Sequence, residues 1–328
     1  MSIVTKGIFI VGAKQLQEVA AKAALAAANV NPENVDSVVV GNVLANTAPD
    51  SNFLPRHAAL RAGVPIEKPA LGVNRLCGSG FQSIVTCDRC NFRHFWFFKC
   101  EWAFEISGNQ LKLCTFTTLN LLTAQDSGVF KEELAPVQVK AKGGVKSIEV
   151  DEHPKPETSL EKLGRLPTIF KKNGLVTAGS ASGVCDGAGA VVLASEDAVK
   201  KYNLKPLARL VAYAIVGVEP SIMGIGPSPA IKNLLKTANK SLNDIDLVEI
   251  NEAFAAQTLS CAKDLGLDLE KLNVNGGAIA LGHPLAASGA RITAHLVHEL
   301  RRKNLKLGVG SACIGGGQGI ALLVENAS

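Results

Sequence analysis

The chain has 328 residues, 47% of them hydrophobic and 19% charged, with a formal net charge of +5. This is an ordinary globular composition, long enough for two fused halves or two domains. The charge is too small and too scattered for a nucleic-acid groove, and no apolar run is long enough to span a bilayer.

In chain order, strands and helices alternate. Ile8–Ala13 reads as a buried strand, Leu16–Ala28 as an alanine-rich helix, Val35–Val40 as a buried strand, and Arg56–Ala62 as a helix stopped by Gly63. Leu76–Val85 runs through a glycine turn into a helix. Lys131–Lys172 is polar and proline-bearing, with Lys140–Gly144 as a hairpin tip and Asp151–Pro156 as an extended loop. The rhythm then resumes: strand Ala208–Val216, helix Pro229–Ala238, strand Leu247–Ile250, helix Ala253–Leu265, helix Ser288–Lys303, and strands around Lys306–Val309 and Gly319–Val324. Such alternation implies a layered α/β fold.

The chain also repeats itself. Leu25–Asn29 followed by Val35–Val40 matches Leu235–Asn239 followed by Ile245–Ile250, with the same spacing. A helix feeds a turn and then a buried strand in both copies, which favours a duplicated half. One stretch breaks the pattern. Thr86–Thr123 holds both tryptophans, half the phenylalanines and half the cysteines, and its core Asn91–Phe98 follows neither a period of 2 nor one of 3.6.

The start of the chain lacks the layout of a secretory signal, and its first acidic residue is Glu18. A basic, acid-free start is compatible with organelle import, and the C-terminus is not a Ser-Lys-Leu address. Without a secretory signal, the eight cysteines read better as reduced thiols than as a disulfide framework.

Four places carry possible chemistry. Cys77, in Leu76-Cys77-Gly78-Ser79-Gly80, lies at a glycine-flanked helix start, where a helix N-terminus lowers a thiol pKa and small neighbours admit a substrate; the alternative is a buried structural cysteine. His283, in Gly282-His283-Pro284, suits a general base or an oxyanion donor, or is a satisfied loop histidine. Cys313 precedes Gly315-Gly316-Gly317, a run that turns backbone N–H groups toward a ligand but is not a P-loop. Asn251, in Asn251-Glu252-Ala253-Phe254-Ala255, follows a buried strand and is by default a helix N-cap.

Together and in this order, these motifs resemble the thiolase family. Ala178–Gly183 with Asp186-Gly187 adds to the resemblance, which covers about residues 1–85 and 125–328 and is nearest to the mitochondrial, degradative branch. It implies a five-layered αβαβα sandwich of two duplicated halves, incomplete in the N-terminal half. The N-terminal half is 1–194, with an aberrant segment at 86–123 and a remnant loop domain at 125–182; the C-terminal half is 195–328.

The resemblance further implies a reaction. Cys77 attacks a 3-oxoacyl-CoA while His283 takes its proton. His283 and a water held by Asn251 stabilise the acetyl-CoA enolate, Cys313 moves protons, and the N–H groups of Cys77 and Gly315 meet the oxyanion of the acyl-Cys77 step. Ser182 is the carried-over contact to coenzyme A, which is a substrate; no permanently bound cofactor and no metal is implied. Small acyl-CoA partners, a homo-oligomer and the mitochondrial matrix are expected. An acetoacetyl-CoA thiolase, or an inactive truncated isoform, is the alternative.

Two departures stand out. Gln15-Leu16-Gln17 follows Ala13-Lys14 at once, where the family carries a further stretch, and Thr86–Thr123 replaces the end of the nucleophile helix, a core strand and part of the coenzyme-facing loops. A rebuilt insert, a splice variant or mistranslated gene model, and a zinc site on Cys87, Cys90, His94 and Cys100 are the readings of that segment. Loss of a central strand is expected to weaken folding.

Overall fold

The computed structural model describes residues 2–3, 13–43, 53–88, 107–141 and 144–327. In chain order, β1 (Ser2–Ile3) precedes α1 (Ala13–Ala28), β2 (Val38–Gly41), α2 (Leu54–Arg61), β3 (Ala70–Val73) and α3 (Ser79–Asp88). Ala13, expected at the end of a strand, instead opens α1, and 8–12 lie outside the described residues. β2 pairs with β3 in parallel, Val38 opposite Ala70.

Next come α4 (Ser107–Asp126), the hairpin β4 (Val137–Ala141) and β5 (Gly144–Ile148), α5 (Leu160–Gly164), β6 (Leu193–Ala194) and α6 (Glu196–Lys201). The C-terminal half then runs β7 (Ala208–Gly217), α7 (Pro227–Thr237), β8 (Leu247–Ile250), α8 (Ala255–Leu265), α9 (Ala278–Leu281), α10 (Ser288–Arg302), β9 (Leu307–Ile314) and β10 (Gln318–Asn326). The main sheet has the order β6-β1-β7-β10-β9-β8. Within it β10 is antiparallel to β7 and β9, and β8 is parallel to β9.

β10 shows why the sheet has a helix layer on each face. Side chains alternate across a strand. Ile320, Leu322 and Val324 join a core with Phe81 and Ile84 of α3 and Ile292, Leu296 and Leu300 of α10. Ala321 and Leu323 point the other way, into a core with Ile231 and Leu234 of α7 and Cys261 of α8. On β9, Gly308 and Gly310 keep room for α10: a Cβ on Gly310 would lie 3.0 Å from Ile292. Beyond α3 lie β2 and β3, and beyond those α2 and α1. The succession α7/α8, main sheet, α3/α10, β2/β3, α1/α2 is the five-layered sandwich.

The repeat is visible in the backbone. Asn29 and Asn239 end their helices with φ of 53° and 52°. The N–H of the next residue reaches five residues back in both copies, Val30 to Leu25 and Lys240 to Leu235, each at 2.9 Å. A short 3₁₀ turn follows each, Pro32–Asn34 and Leu242–Asp244, and then β2 or β8. Asparagine suits the left-handed position because its side chain is short and polar. The two halves meet where α3 crosses α10. A Cβ on Gly289 would stand 2.1 Å from the Phe81 backbone nitrogen, and one on Gly80 would stand 2.6 Å from the Ala286 carbonyl oxygen. Only glycine on both helices allows that approach.

The anomalous segment is part helix. Residues 86–88 finish α3, 89–106 lie outside the described residues, and from 107 onward the chain forms α4. Leu113 and Cys114 pack with Leu163 and Ala255, while Leu121 and Ala124 pack with Phe130 and Ala280. Cys90, His94 and Cys100 of the zinc reading lie outside the described residues. Among the described cysteines, Cys77, Cys114, Cys185, Cys261 and Cys313 are free thiols.

Candidate active site

The end of β9 is where the predicted residues gather. Asn251 follows β8, and its backbone N–H donates to the Ser311 carbonyl on β9 at 2.9 Å. Cys313 is two residues further along the same strand. Beyond it, the Gly315 N–H points to the sulfur of Cys77. Four residues of strand span roughly 13 Å, so one strand end links Asn251, Cys313 and Cys77.

Cys77 sits in the 3₁₀ turn Leu76–Gly78 that leads into α3. Leu76 has φ of 43°, a left-handed conformation costly for a branched, non-glycine residue. The turn is held on both sides: Leu76 N–H donates to Asn74 Oδ1 at 3.0 Å, Arg75 N–H donates to Ser79 Oγ at 2.9 Å, and Ser79 Oγ donates to the Leu76 carbonyl at 2.7 Å. A Cβ on Gly78 would stand 2.5 Å from Ile314, so the turn lies flush on the end of β9. Burial pushes the Cys77 thiol up from its ordinary value, opposed by the N–H groups of Gly315 and of Cys77 itself. Burial outweighs those two N–H groups, so the net shift is upward.

His283 follows Gly282, whose φ of 90° ends α9. Its Nδ1 lies 2.7 Å from Ser288 Oγ and its Nε2 lies 3.3 Å from Asn251 Nδ2. The Asn251 amide thus faces Nε2 and the Ser288 hydroxyl faces Nδ1, so each ring nitrogen has a polar neighbour. Burial drives His283 down to about 4, helped by the Arg291 charge. The imidazole is therefore neutral near pH 7 and can accept a proton.

Asn251 is fully buried, and its Oδ1 has no hydrogen-bond partner among the described residues. It is not a helix N-cap, because Phe254 occupies that position at the start of α8. A buried acceptor without a protein partner at the heart of a site suits a small polar ligand. Cys313 is buried, and burial holds its thiol well above the ordinary range, with the neighbouring Cys261 and Cys77 acting in the same direction. Ser182 donates through both N–H and Oγ to the Ala253 carbonyl, each at 3.1 Å. Its loop continues past Gly183, whose carbonyl accepts the His283 N–H at 2.7 Å.

The structure adds residues that the motif reading did not assign. Ser288 orients His283; its place five residues on, at the first turn of α10, is the signal that could have found it. Glu252, in the same motif as Asn251, is the other. Its buried carboxyl receives Asn273 Nδ2 at 2.9 Å, Ile279 N–H at 3.1 Å and Thr117 Oγ1 at 3.1 Å. Burial raises its pKa against those same hydrogen bonds. A second buried cluster lies behind the site. His295 Nδ1 is 2.9 Å from Glu133 Oε1, and its Nε2 is 3.1 Å from Asn275 Nδ2. Burial opposes its charge, yet Glu133, Glu249 and Glu299 carry it up to about 9.

A cysteine on a strained turn with N–H groups at its sulfur, a neutral buried histidine and a second buried thiol define an acyl-transfer class of site. Residues 204–326 match "Thiolase, C-terminal domain", and residues 5–90 and 119–197 match "Thiolase, N-terminal domain". The chain belongs to the thiolase family of acyltransferases. It is 49% identical to the Bos taurus protein "3-ketoacyl-CoA thiolase, mitochondrial", over 98% of each chain. It superposes on the human mitochondrial 3-ketoacyl-CoA thiolase with a TM-score of 0.91 at 47% identity, covering 99% of this chain and 98% of that one. The human enzyme in complex with CoA gives 0.89 at 46%, covering 100% and 98%. The bovine alignment has 392 positions against 328 residues here, so the relative carries stretches that this chain lacks. The gap in the family match, 91–118, falls inside the segment whose composition is anomalous.

Proposed function

We propose that this chain cleaves 3-oxoacyl-CoA thioesters with coenzyme A, in fatty-acid β-oxidation, through an acyl-Cys77 intermediate. The observation that carries this reading is Cys77 on its strained turn with the Gly315 N–H aimed at its sulfur. The Cys77 thiol passes its proton to neutral His283 as its sulfur bonds to the 3-keto carbon. The bond between C2 and C3 then breaks, and its electron pair leaves as the acetyl-CoA enolate. The Cys313 thiol, held protonated by burial, gives that enolate its proton. His283 Nε2, once protonated, and a water on the Asn251 amide support the enolate oxygen. Cys313 then takes the proton of an incoming coenzyme A thiol, whose sulfur displaces the acyl group from Cys77, and the Cys77 thiolate that leaves recovers its proton from His283. The tetrahedral oxyanion of that step is received by the Cys77 and Gly315 N–H groups.

Coenzyme A enters as substrate, with Ser182 on the loop that faces it; the site as read needs no permanently bound cofactor. The names of the relatives support a mitochondrial location, and we infer the matrix as the compartment and a homo-oligomer as the assembly. No helix among the described residues is long and apolar enough to cross a membrane. The test is thiolysis of 3-ketooctanoyl-CoA by purified protein. Turnover is expected, and Cys77→Ala is expected to lower it on the order of 10³-fold or more. No turnover from soluble, folded protein overturns the reading in favour of an inactive isoform.

A further inference from the structure

Thr117 lies on α4, in the part of the chain that the family match leaves out, yet it is buried against the site. Its Oγ1 approaches both carboxyl oxygens of Glu252 at 3.1 Å and accepts the Gly277 N–H at 2.7 Å. Glu252 is next in sequence to Asn251. Its carboxyl also holds Ile279 N–H, in the helix α9 whose end carries His283. It further holds Asn273, whose side chain brackets Ile250 by accepting its N–H at 2.9 Å and donating to its carbonyl at 3.0 Å. Gly277 passes so close that a Cβ there would stand 2.3 Å from the Glu252 carboxyl carbon. One hydroxyl and one carboxyl thus tie together the segment that bears Asn251, the segment that bears His283, and α4.

We propose that Thr117 and Glu252 are a positioning pair for the reaction: they fix Asn251 and His283 relative to each other, and they make α4 a working part of the site. The inference rests on the thiolase reading above. Neither residue touches the reacting atoms; both act through Asn251 and His283, whose side chains meet at 3.3 Å. A bond lost from a buried hub leaves its partners unsatisfied, and a small displacement of a proton-transfer group lowers the rate of the step it serves.

The experiment compares Thr117→Val, which keeps shape and removes the hydroxyl, with Thr117→Ser, which keeps the hydroxyl, and with Glu252→Gln as an independent break of the same hub. Two rates are read at a temperature at which each variant is folded by circular dichroism. The first is kcat for thiolysis. The second is alkylation of Cys77 by iodoacetamide, resolved by peptide mass spectrometry, which depends on His283 but needs no turnover. Thr117→Val and Glu252→Gln are expected to lower both rates about tenfold, with KM for coenzyme A within about twofold of the parent. Thr117→Ser is expected to restore both. Parent-like alkylation in either hydroxyl- or carboxyl-deleted variant, or failure of Thr117→Ser to recover, overturns the proposal. Absent thiolysis in the parent strikes the thiolase reading instead and leaves the alkylation test standing.

Discussion

In the C-terminal half, β8 and β9 are buried at every residue, between the α7/α8 layer on one face and α3/α10 on the other. In the N-terminal half, the equivalent of β8 is β2, which is only half-buried along its length and pairs with β3 alone among the described residues. One plan of helix, asparagine turn and strand thus serves a deep core in one copy and a shallow one in the other. The difference follows the chemistry. Asn251, His283, Cys313 and Gly315 all come from the deep half, where close packing fixes side chains, whereas the N-terminal half supplies Cys77. Cys77 escapes the shallowness of its own half because α3 is itself sandwiched against α10 and the main sheet, with Phe81, Ile84 and Val85 buried.

The contrast can be broken most strongly at the crossing shared by the halves. Gly289→Ala places a methyl group against the Phe81 backbone and is expected to cost on the order of 3 kcal/mol, read by chemical denaturation. Substitutions within each half should then separate them. Leu234→Ala empties a fully buried site in α7 and is expected to cost about 2–5 kcal/mol, against about 1 kcal/mol for Val39→Ala in half-buried β2. Equal costs would show that the N-terminal core is as deep as the C-terminal one.

A smaller effect concerns pH. His295 in the folded chain has a pKa raised to about 9, above the usual 6.5 for the unfolded chain. The stability it contributes is therefore full below about pH 6.5 and is lost as pH rises through 9. The melting temperature should fall more steeply between pH 7 and 10 in the parent than in His295→Gln. The groups facing it are Glu133 from the loop region, Glu249 from β8, Glu299 from α10 and Asn275.

Much of the C-terminal half was legible because its patterns are local. Strand Leu247–Ile250 stands where the apolar run places it, and helix 288–302 differs by one residue. The repeat was readable because asparagine marks the turn in both copies. The four motif residues were readable as types, and the structure brings them to one strand end. What the sequence did not carry was tertiary. Nothing local distinguishes Thr117 from the other threonines of α4; only the fold aims its hydroxyl at Glu252. The thiol of Cys77 reads from sequence as lowered by a helix terminus, because the burial that raises it is a property of the assembled layers. The start of α1 at Ala13 was missed since Ile8–Ala13 is apolar and β-branched, a run that periodicity assigns to strand.

The decisive measurement is to mix the protein with 3-ketooctanoyl-CoA in the absence of free coenzyme A, quench in acid, and map the acyl group by peptide mass spectrometry. A hexanoyl group on the peptide bearing Cys77, absent from Cys77→Ala and cleared by added coenzyme A, is the predicted result. Acylation of Cys313 instead, or no acylation of folded protein, would contradict Cys77 as the nucleophile.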